Sequence, residues 1–219
     1  LHVTASTAAQ ASAAAADAGV ATGGGTVVGV LLAAGRGSRF DPTGERYKLL
    51  QALPNGEPVA VASARAMLAA LQRVVAVVRP DDAATANQLQ AAGCEVIACA
   101  NADAGMAASL ACGVQHAREA DGWLIALADM PYVQPSTVAA LAKAVGQGAS
   151  AQNPAAIAAP LYQGRRGNPV AFGHAHLPAL LALAGDQGAR SILKNNPVNE
   201  LTVDDPGILQ DIDTPSDIQ

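Results

Sequence analysis

Aromatic side chains make up only 3% of this 219-residue chain. A hydrophobic core must therefore be built from Ala, Val, Leu and Ile, and little is left for stacking single-stranded bases. Positive charge is also scarce. A formal net charge of −5 removes the broad basic surface that general nucleic-acid binding needs. The three cysteines, Cys94, Cys99 and Cys112, are an odd number at spacings that match no zinc or redox motif. They read as small buried hydrophobes in a reducing compartment, and a cytoplasmic location is expected. No apolar run approaches membrane-spanning length, so no membrane partner is expected. The chain contains no Gly-x-x-x-x-Gly-Lys-Ser/Thr, which excludes a P-loop NTPase.

Residues 1–25 are mostly Ala, Ser, Thr and Gly, and they end in Gly23-Gly24-Gly25. They lack the basic start and Leu-rich centre of a secretory signal. Such a segment buries too little surface to offset its ordering entropy, so a flexible tail is expected. From residue 26 to 219 the pattern alternates. Continuous apolar runs predict strands at Thr26–Ala33, Val74–Arg79, Cys94–Cys99 and Trp123–Ala128. Helices are expected at Pro58–Gln72, Asp81–Ala92, Met106–Glu119 and Pro135–Val145. Beyond residue 155 the spacing predicts strands at Ala156–Leu161, Asn168–Phe172, Val198–Val203 and Leu209–Ile212, and a helix at Gly188–Asn195. Thr214, Pro215 and Asp217 stand at the N-cap, N1 and N3 positions of a final helix start. Repeated strand–helix–strand order implies an α/β fold in a single domain, with a mainly parallel sheet flanked by helices.

The most informative stretch is Leu31-Leu32-Ala33-Ala34-Gly35-Arg36-Gly37-Ser38-Arg39-Phe40. An apolar strand stops at a glycine-rich loop that carries two arginines. Glycines let backbone N–H groups close on an anion, and guanidinium forks match phosphate oxygens. No basic residue precedes Arg36, yet four of the 13 Lys and Arg (Arg36, Arg39, Arg46 and Lys48) fall between positions 36 and 48. A phosphate site is expected there. In parallel sheets ligands bind beyond the C-terminal strand ends. The glycine loop lies beyond the first strand, Asp129 ends a later one, and Asp211 and Asp213 flank the end of another predicted strand. Cations and a few carboxylates on one edge suit a nucleoside triphosphate with Mg²⁺. Alternative roles weigh against each acid: a turn-former before Pro131 for Asp129, and a solvated turn for Asp211 and Asp213.

Taken in order, the motifs resemble one family. They are Leu32-Ala33-Ala34-Gly35 with Arg39 and Lys48, then Gly105-Met106 with Ser109-Leu110, then Asp129-Met130-Pro131. Gly167-Asn168-Pro169-Val170, Gly185-Asp186-Gln187-Gly188-Ala189-Arg190 and Asp211-Ile212-Asp213-Thr214-Pro215 with Asp217 complete the set. The chain is similar to the MobA-like nucleotidyltransferases over about residues 27–219, and within them to the molybdenum cofactor cytidylyltransferases of MocA type. The resemblance implies a Rossmann-like nucleotidyltransferase fold. It implies transfer of CMP from CTP to molybdenum-molybdopterin, giving molybdopterin cytosine dinucleotide and pyrophosphate. By the same resemblance, Leu32, Ala33, Ala34, Gly35, Arg36, Gly37, Ser38, Arg39 and Lys48 bind the nucleotide, and Gly105, Met106 and Ser109 line its pocket. Arg39, Lys48 and Asp129 are the catalytic set. Asp129 ligates Mg²⁺, and Asp211 or Asp213 completes the metal site. Gly167, Asn168, Asp186 and Arg190 lie on the molybdopterin side. Partner molybdoenzymes or their chaperones are expected recipients.

Two departures from the family pattern stand out. The gap from Arg39 to Lys48 is longer than usual, with Asp41-Pro42-Thr43-Gly44-Glu45 reading as an inserted turn. Asn168 stands where the family commonly has His; it forms hydrogen bonds but carries no proton. A dinucleotide oxidoreductase is disfavoured because Phe40 replaces the third glycine and the next strand ends in Arg79-Pro80, with no acid for ribose. Guanylyltransferases and sugar- or alcohol-phosphate nucleotidyltransferases share the metal logic, and a non-catalytic nucleotide sensor or cofactor chaperone remains a separate class. His174-x-His176 reads as a solvated helix start, having no Cys or third His beside it. Arg165-Arg166 is either a solvated turn or an anion clamp.

Overall fold

The structure is a computed structural model that describes residues 26–37, 40–41, 47–146, 153, 155–186 and 188–218. The tail expected at residues 1–25 lies outside them, as do Ser38, Arg39 and most of the expected inserted turn.

Strands β1 (Val27–Leu32), β2 (Val74–Val78), β3 (Glu95–Ala98) and β4 (Gly122–Leu127) alternate with helices α1 (Val59–Leu68), α2 (Ala83–Ala91) and α3 (Met106–His116). Helix α4 (Pro135–Gly146) follows. Then come β5 (Ile157–Tyr162), β6 (Arg165–Arg166), β7 (Val170–Gly173), α5 (Leu177–Leu181), α6 (Arg190–Asn195) and β8 (Asn199–Thr202). The eight strands form one sheet in the order β3-β2-β1-β4-β7-β5-β6, with β8 on β5. Pairings among β3, β2, β1 and β4 are parallel, as is β5 with β8. Strand β7 runs antiparallel between β4 and β5, so the expected parallel sheet acquires an antiparallel extension.

The strand runs lack alternation because both faces of the sheet are covered. On β1, Val27 and Leu31 pack with α1 and α4 residues such as Ala64, Met67 and Leu141. Their neighbours Val28, Val30 and Leu32 pack with Leu110 and Val114 of α3 on the opposite face. With so few aromatics, the two largest buried side chains carry much of the second face. Trp123 and Phe172 are fully buried there, and Trp123 donates its ring N–H to Ala117 O at 2.9 Å.

The C-terminal third departs most from expectation. Leu209–Ile212 is not a strand. Asp205 caps a short 3-10 turn at Pro206–Leu209, Gln210 N closes it on Gly207 O, and Ile212 N then donates to Asp129 O. Proline supplies no N–H there, and the cap offers the backbone a local alternative to a ladder. The final helix start is one 3-10 turn, Pro215–Asp217, with the expected capping box between Thr214 and Asp217. The predicted helix from Gly188 begins at Arg190, and α5 follows directly on the His174–His176 turn, where the sequence reads as a helix start.

Candidate active site

Chain order places β2 and β3 on one side of β1 and β4 on the other. The connections reverse direction between β1 and β4, which opens a crevice at their C-terminal ends. The glycine loop leaves β1 at that point, and Asp129 leaves β4 two residues after Leu127. Ala128 N donates to Leu32 O at 3.1 Å, so the two strand ends are tied together. Ser63 of α1 donates its hydroxyl to Ala128 O at 2.9 Å, and Ile212 N donates to Asp129 O at 2.9 Å. Bonds to main-chain atoms from three segments thus fix the backbone around Asp129.

Lys48 opens a 3-10 turn, Lys48–Leu50. Its ammonium lies 2.6 Å from Asp129 Oδ2 and 3.8 Å from Asp213 Oδ1, and its side chain is only 12% exposed. The long gap after Arg39 therefore returns Lys48 to the glycine loop, where a Cβ built on Gly37 would stand 3.2 Å from Lys48 Cβ. Of the two C-terminal acids, Asp213 is the one beside Lys48. Asp217 holds it there, accepting from Asp213 N at 3.0 Å, while Asp211 is exposed.

A cleft of about 310 Å³ runs from Asp129 across the ends of β1, β2 and β3. Leu32, Ala34 and Leu127 supply apolar lining, and Gly35, Arg36, Gly105, Met106, Ser109 and Asp186 line it as well. Asp186 therefore shares the cleft with the expected nucleotide residues and lies apart from Gly167 and Asn168. The latter two face elsewhere. Asn168 N donates to Ile208 O at 3.0 Å, Asn168 borders a small void with Met130 and Pro169, and Gly167 packs on Ile208. Ala33 is buried, and Arg190 is exposed at the start of α6. Arg165 is exposed, and Arg166 pairs with Glu200 of β8.

Two charged cleft residues escaped the sequence reading, as did the apolar lining residues Ala102 and Leu127. Arg79 follows β2 and Asp103 follows β3, so applying the strand-end rule to those strands would have found both. Asp103 accepts from Arg79 Nη1 at 2.6 Å and from Arg36 Nη2 at 2.8 Å. These hydrogen bonds, from Arg79 and then Arg36, hold its carboxyl down at about 2. Because Asp103 is well exposed, the pairs shape the cleft rim and add little stability.

Gly105 is required by the shape of this cleft. Its φ is +108°, and an added Cβ would lie 2.3 Å from Asp186 Oδ1 and 2.8 Å from the Gly185 carbonyl. That carbonyl accepts from Ala107 N at 3.0 Å, which ties Gly185 to the start of α3. Gly105→Ala is expected to cost about 1–3 kcal/mol in a thermal melt and to weaken nucleotide binding measured by calorimetry. Unchanged binding and melting would contradict this account of the cleft.

The other candidates are structural. His174 Nδ1 donates to Ala120 O at 2.7 Å and the ring stacks on Trp123. His176 is buried rather than solvated and donates through Nε2 to Ala155 O at 2.9 Å. Cys94 and Cys99 are buried, and burial pushes the Cys94 thiol up to about 11. Among the described residues, no helix is long and apolar enough to cross a membrane.

Among the described residues, no group of three or more His, Cys, Asp or Glu could by itself hold a metal. The pair Asp129 and Asp213 nonetheless offers hard carboxylate oxygens around a position already taken by a cation, the Lys48 ammonium. Such a pair fits an ion like Mg²⁺, which binds through one or two carboxylates plus phosphates and waters.

Residues 29–201 match a family model described as the MobA-like NTP transferase domain. The purine catabolism protein PucB of Bacillus subtilis is 33% identical over 124 residues, or 54% of this chain and 57% of that protein; the match thus spans little more than half of either. The crystal structure of Rv0371c from Mycobacterium tuberculosis superposes with a TM-score of 0.69 at 27% identity, covering 88% of this chain and 95% of that one. The same mycobacterial protein complexed with manganese gives 0.64 at 24% identity, covering 88% and 95%. A nucleotidyl transferase from Methanothermobacter gives 0.72 at 24% identity, covering 88% and 94%.

Proposed function

The chain belongs to the MobA-like NTP transferase family, and we propose that it transfers CMP from CTP to the terminal phosphate of molybdenum-molybdopterin, releasing pyrophosphate, in the cytoplasm. The observation that carries this reading is the Lys48–Asp129–Asp213 cluster at the β1/β4 crevice, continuous with a cleft of about 310 Å³. The Ala33-Ala34-Gly35 form of the loop, shared with the cytidylyl members it resembles, favours CTP.

The acceptor phosphate is already an anionic nucleophile near neutral pH, so no strong general base is needed. The chain's task is to hold two polyanions together and offset their repulsion. Arg36 and the Gly35–Gly37 backbone take triphosphate oxygens, joined by Arg39 in the family pattern. Lys48 turns to the α-phosphate. Leu32, Ala34 and Leu127 exclude water beside the nucleoside, and Gly105, Met106 and Ser109 set the pocket wall. Asp129 and Asp213 would hold Mg²⁺, which would supply positive charge against the triphosphate and the leaving pyrophosphate. The manganese complex of the mycobacterial relative supports a divalent ion in this fold. Molybdopterin is assigned to the side bearing Gly167 and Asn168, with Arg190, and the product would pass to a molybdoenzyme or its chaperone.

A nucleotide panel tests this. Pyrophosphate release is measured with CTP, GTP and ATP, each with and without molybdopterin. Release from CTP that depends on molybdopterin is the expected result. Use of GTP alone overturns the cytidylyl assignment and leaves the transferase standing. Absence of release with any nucleotide favours a sensor or chaperone.

A further inference from the structure

Two carboxylates gathered in a half-buried crevice need a positive charge between them. Lys48 meets that need: its ammonium lies 2.6 Å from Asp129 Oδ2 and 3.8 Å from Asp213 Oδ1. A divalent ion on the same oxygens would sit a few ångström from that ammonium, and the two cations would repel each other. The described residues also offer fewer than three potential metal-binding side chains at any one place, too few to complete a six-coordinate shell.

We propose that Lys48 is the resident counter-cation of the metal site. It holds the Asp129 carboxylate until the nucleotide phosphates draw it away, so the divalent ion is admitted together with the nucleotide and not before. This rests on the assignment of Asp129 and Asp213 as metal ligands. The arriving triphosphate makes both changes at once, since it offers an anion to Lys48 and supplies the oxygens that the two carboxylates lack. The geometry suits a swing. Lys48 sits on a 3-10 turn against Gly37 of the phosphate loop, so its four-carbon stem reaches from Asp129 to that loop without backbone movement. By linkage, lysine and metal exclude each other on Asp129, and anything that removes the ammonium raises metal affinity in the empty protein.

Titration of Mn²⁺ into nucleotide-free protein, with free ion followed by electron paramagnetic resonance, tests this. Lys48→Met and the polar Lys48→Gln are each expected to bind Mn²⁺ at least tenfold more tightly than the parent. Adding Asp129→Asn to Lys48→Met should return affinity to the parent level. Circular dichroism verifies that each variant is folded, and having two lysine variants keeps the test decisive if one of them unfolds. Equal Mn²⁺ affinity in the parent and the folded lysine variants overturns the proposal, as does tight binding that survives Asp129→Asn. The readout contains no nucleotide and no turnover. Failure of the cytidylyl reading in the nucleotide panel therefore leaves this inference intact, and failure here leaves that reading intact.

Discussion

Asp129→Ala is expected to lower pyrophosphate release by roughly 10³-fold or more, about 4 kcal/mol of barrier, while the protein remains folded. The side chain carries the charge that Lys48 contacts at 2.6 Å, but the local backbone is held by other groups. Ile212 N still reaches Asp129 O at 2.9 Å, and Ala128 N still reaches Leu32 O at 3.1 Å, whatever side chain occupies position 129. Lys48 loses its nearest partner yet keeps Asp213 within 3.8 Å, which limits the stability loss to about 1–3 kcal/mol. Far-ultraviolet circular dichroism checks the fold and a pyrophosphate-release assay checks turnover. Near-normal turnover in a folded variant would sink the assignment of Asp129 to the chemistry.

Asp205→Ala should produce the largest loss of stability, about 3 kcal/mol. The carboxylate is 1% exposed and accepts three hydrogen bonds. Oδ2 takes Gln134 N at 2.9 Å and Thr137 Oγ1 at 2.6 Å, while Oδ1 takes Gly207 N at 3.0 Å. One acid thus caps the first turn of α4 and the Pro206–Leu209 turn together. Truncation leaves these donors without a protein acceptor, at about 1–3 kcal/mol each where water cannot enter. In a domain of this size that lowers the melting temperature by about 6–12 °C. The effect should reach the site. Gly207 lies so close under Tyr132 that an added Cβ would stand 2.1 Å from the Tyr132 carbonyl oxygen, and the same segment leads on to Asp213. A raised KM for nucleotide is therefore expected along with the lower melting point. A melt within a degree of the parent would show that Asp205 does not hold this segment.

How much of this was legible in sequence depended on the range of the interaction. Strands β1, β2 and β4 were readable because Val30, Val75, Ala76 and Val77 are fully buried with both sheet faces covered, which leaves continuous apolar runs in the chain. The glycine loop was readable for a related reason: an apolar run that ends in glycine and arginine marks a strand end facing solvent. The Thr214–Asp217 capping box needs only four adjacent residues and was also visible. The Leu209–Ile212 strand failed because Asp205, upstream of the apolar run, offered the backbone a competing cap that pattern reading ignored.

Local order along the chain therefore sufficed for the fold class, the position of the glycine loop and the identity of Asp129 as a strand-end acid. Distances of a few residues are set by backbone geometry and side-chain preference, and a sequence displays both. It could not tell whether Asp211 or Asp213 joins Asp129, because alternate residues of an extended segment share a side. Nor could it show that Lys48 meets an acid 81 residues away, or that Arg79 and Arg36 converge on Asp103. Those pairings exist only once the β1/β4 crevice has closed and the C-terminal segment is pinned beneath Tyr132. Such closure is a property of packed, distant elements, and no stretch of the chain encodes it alone.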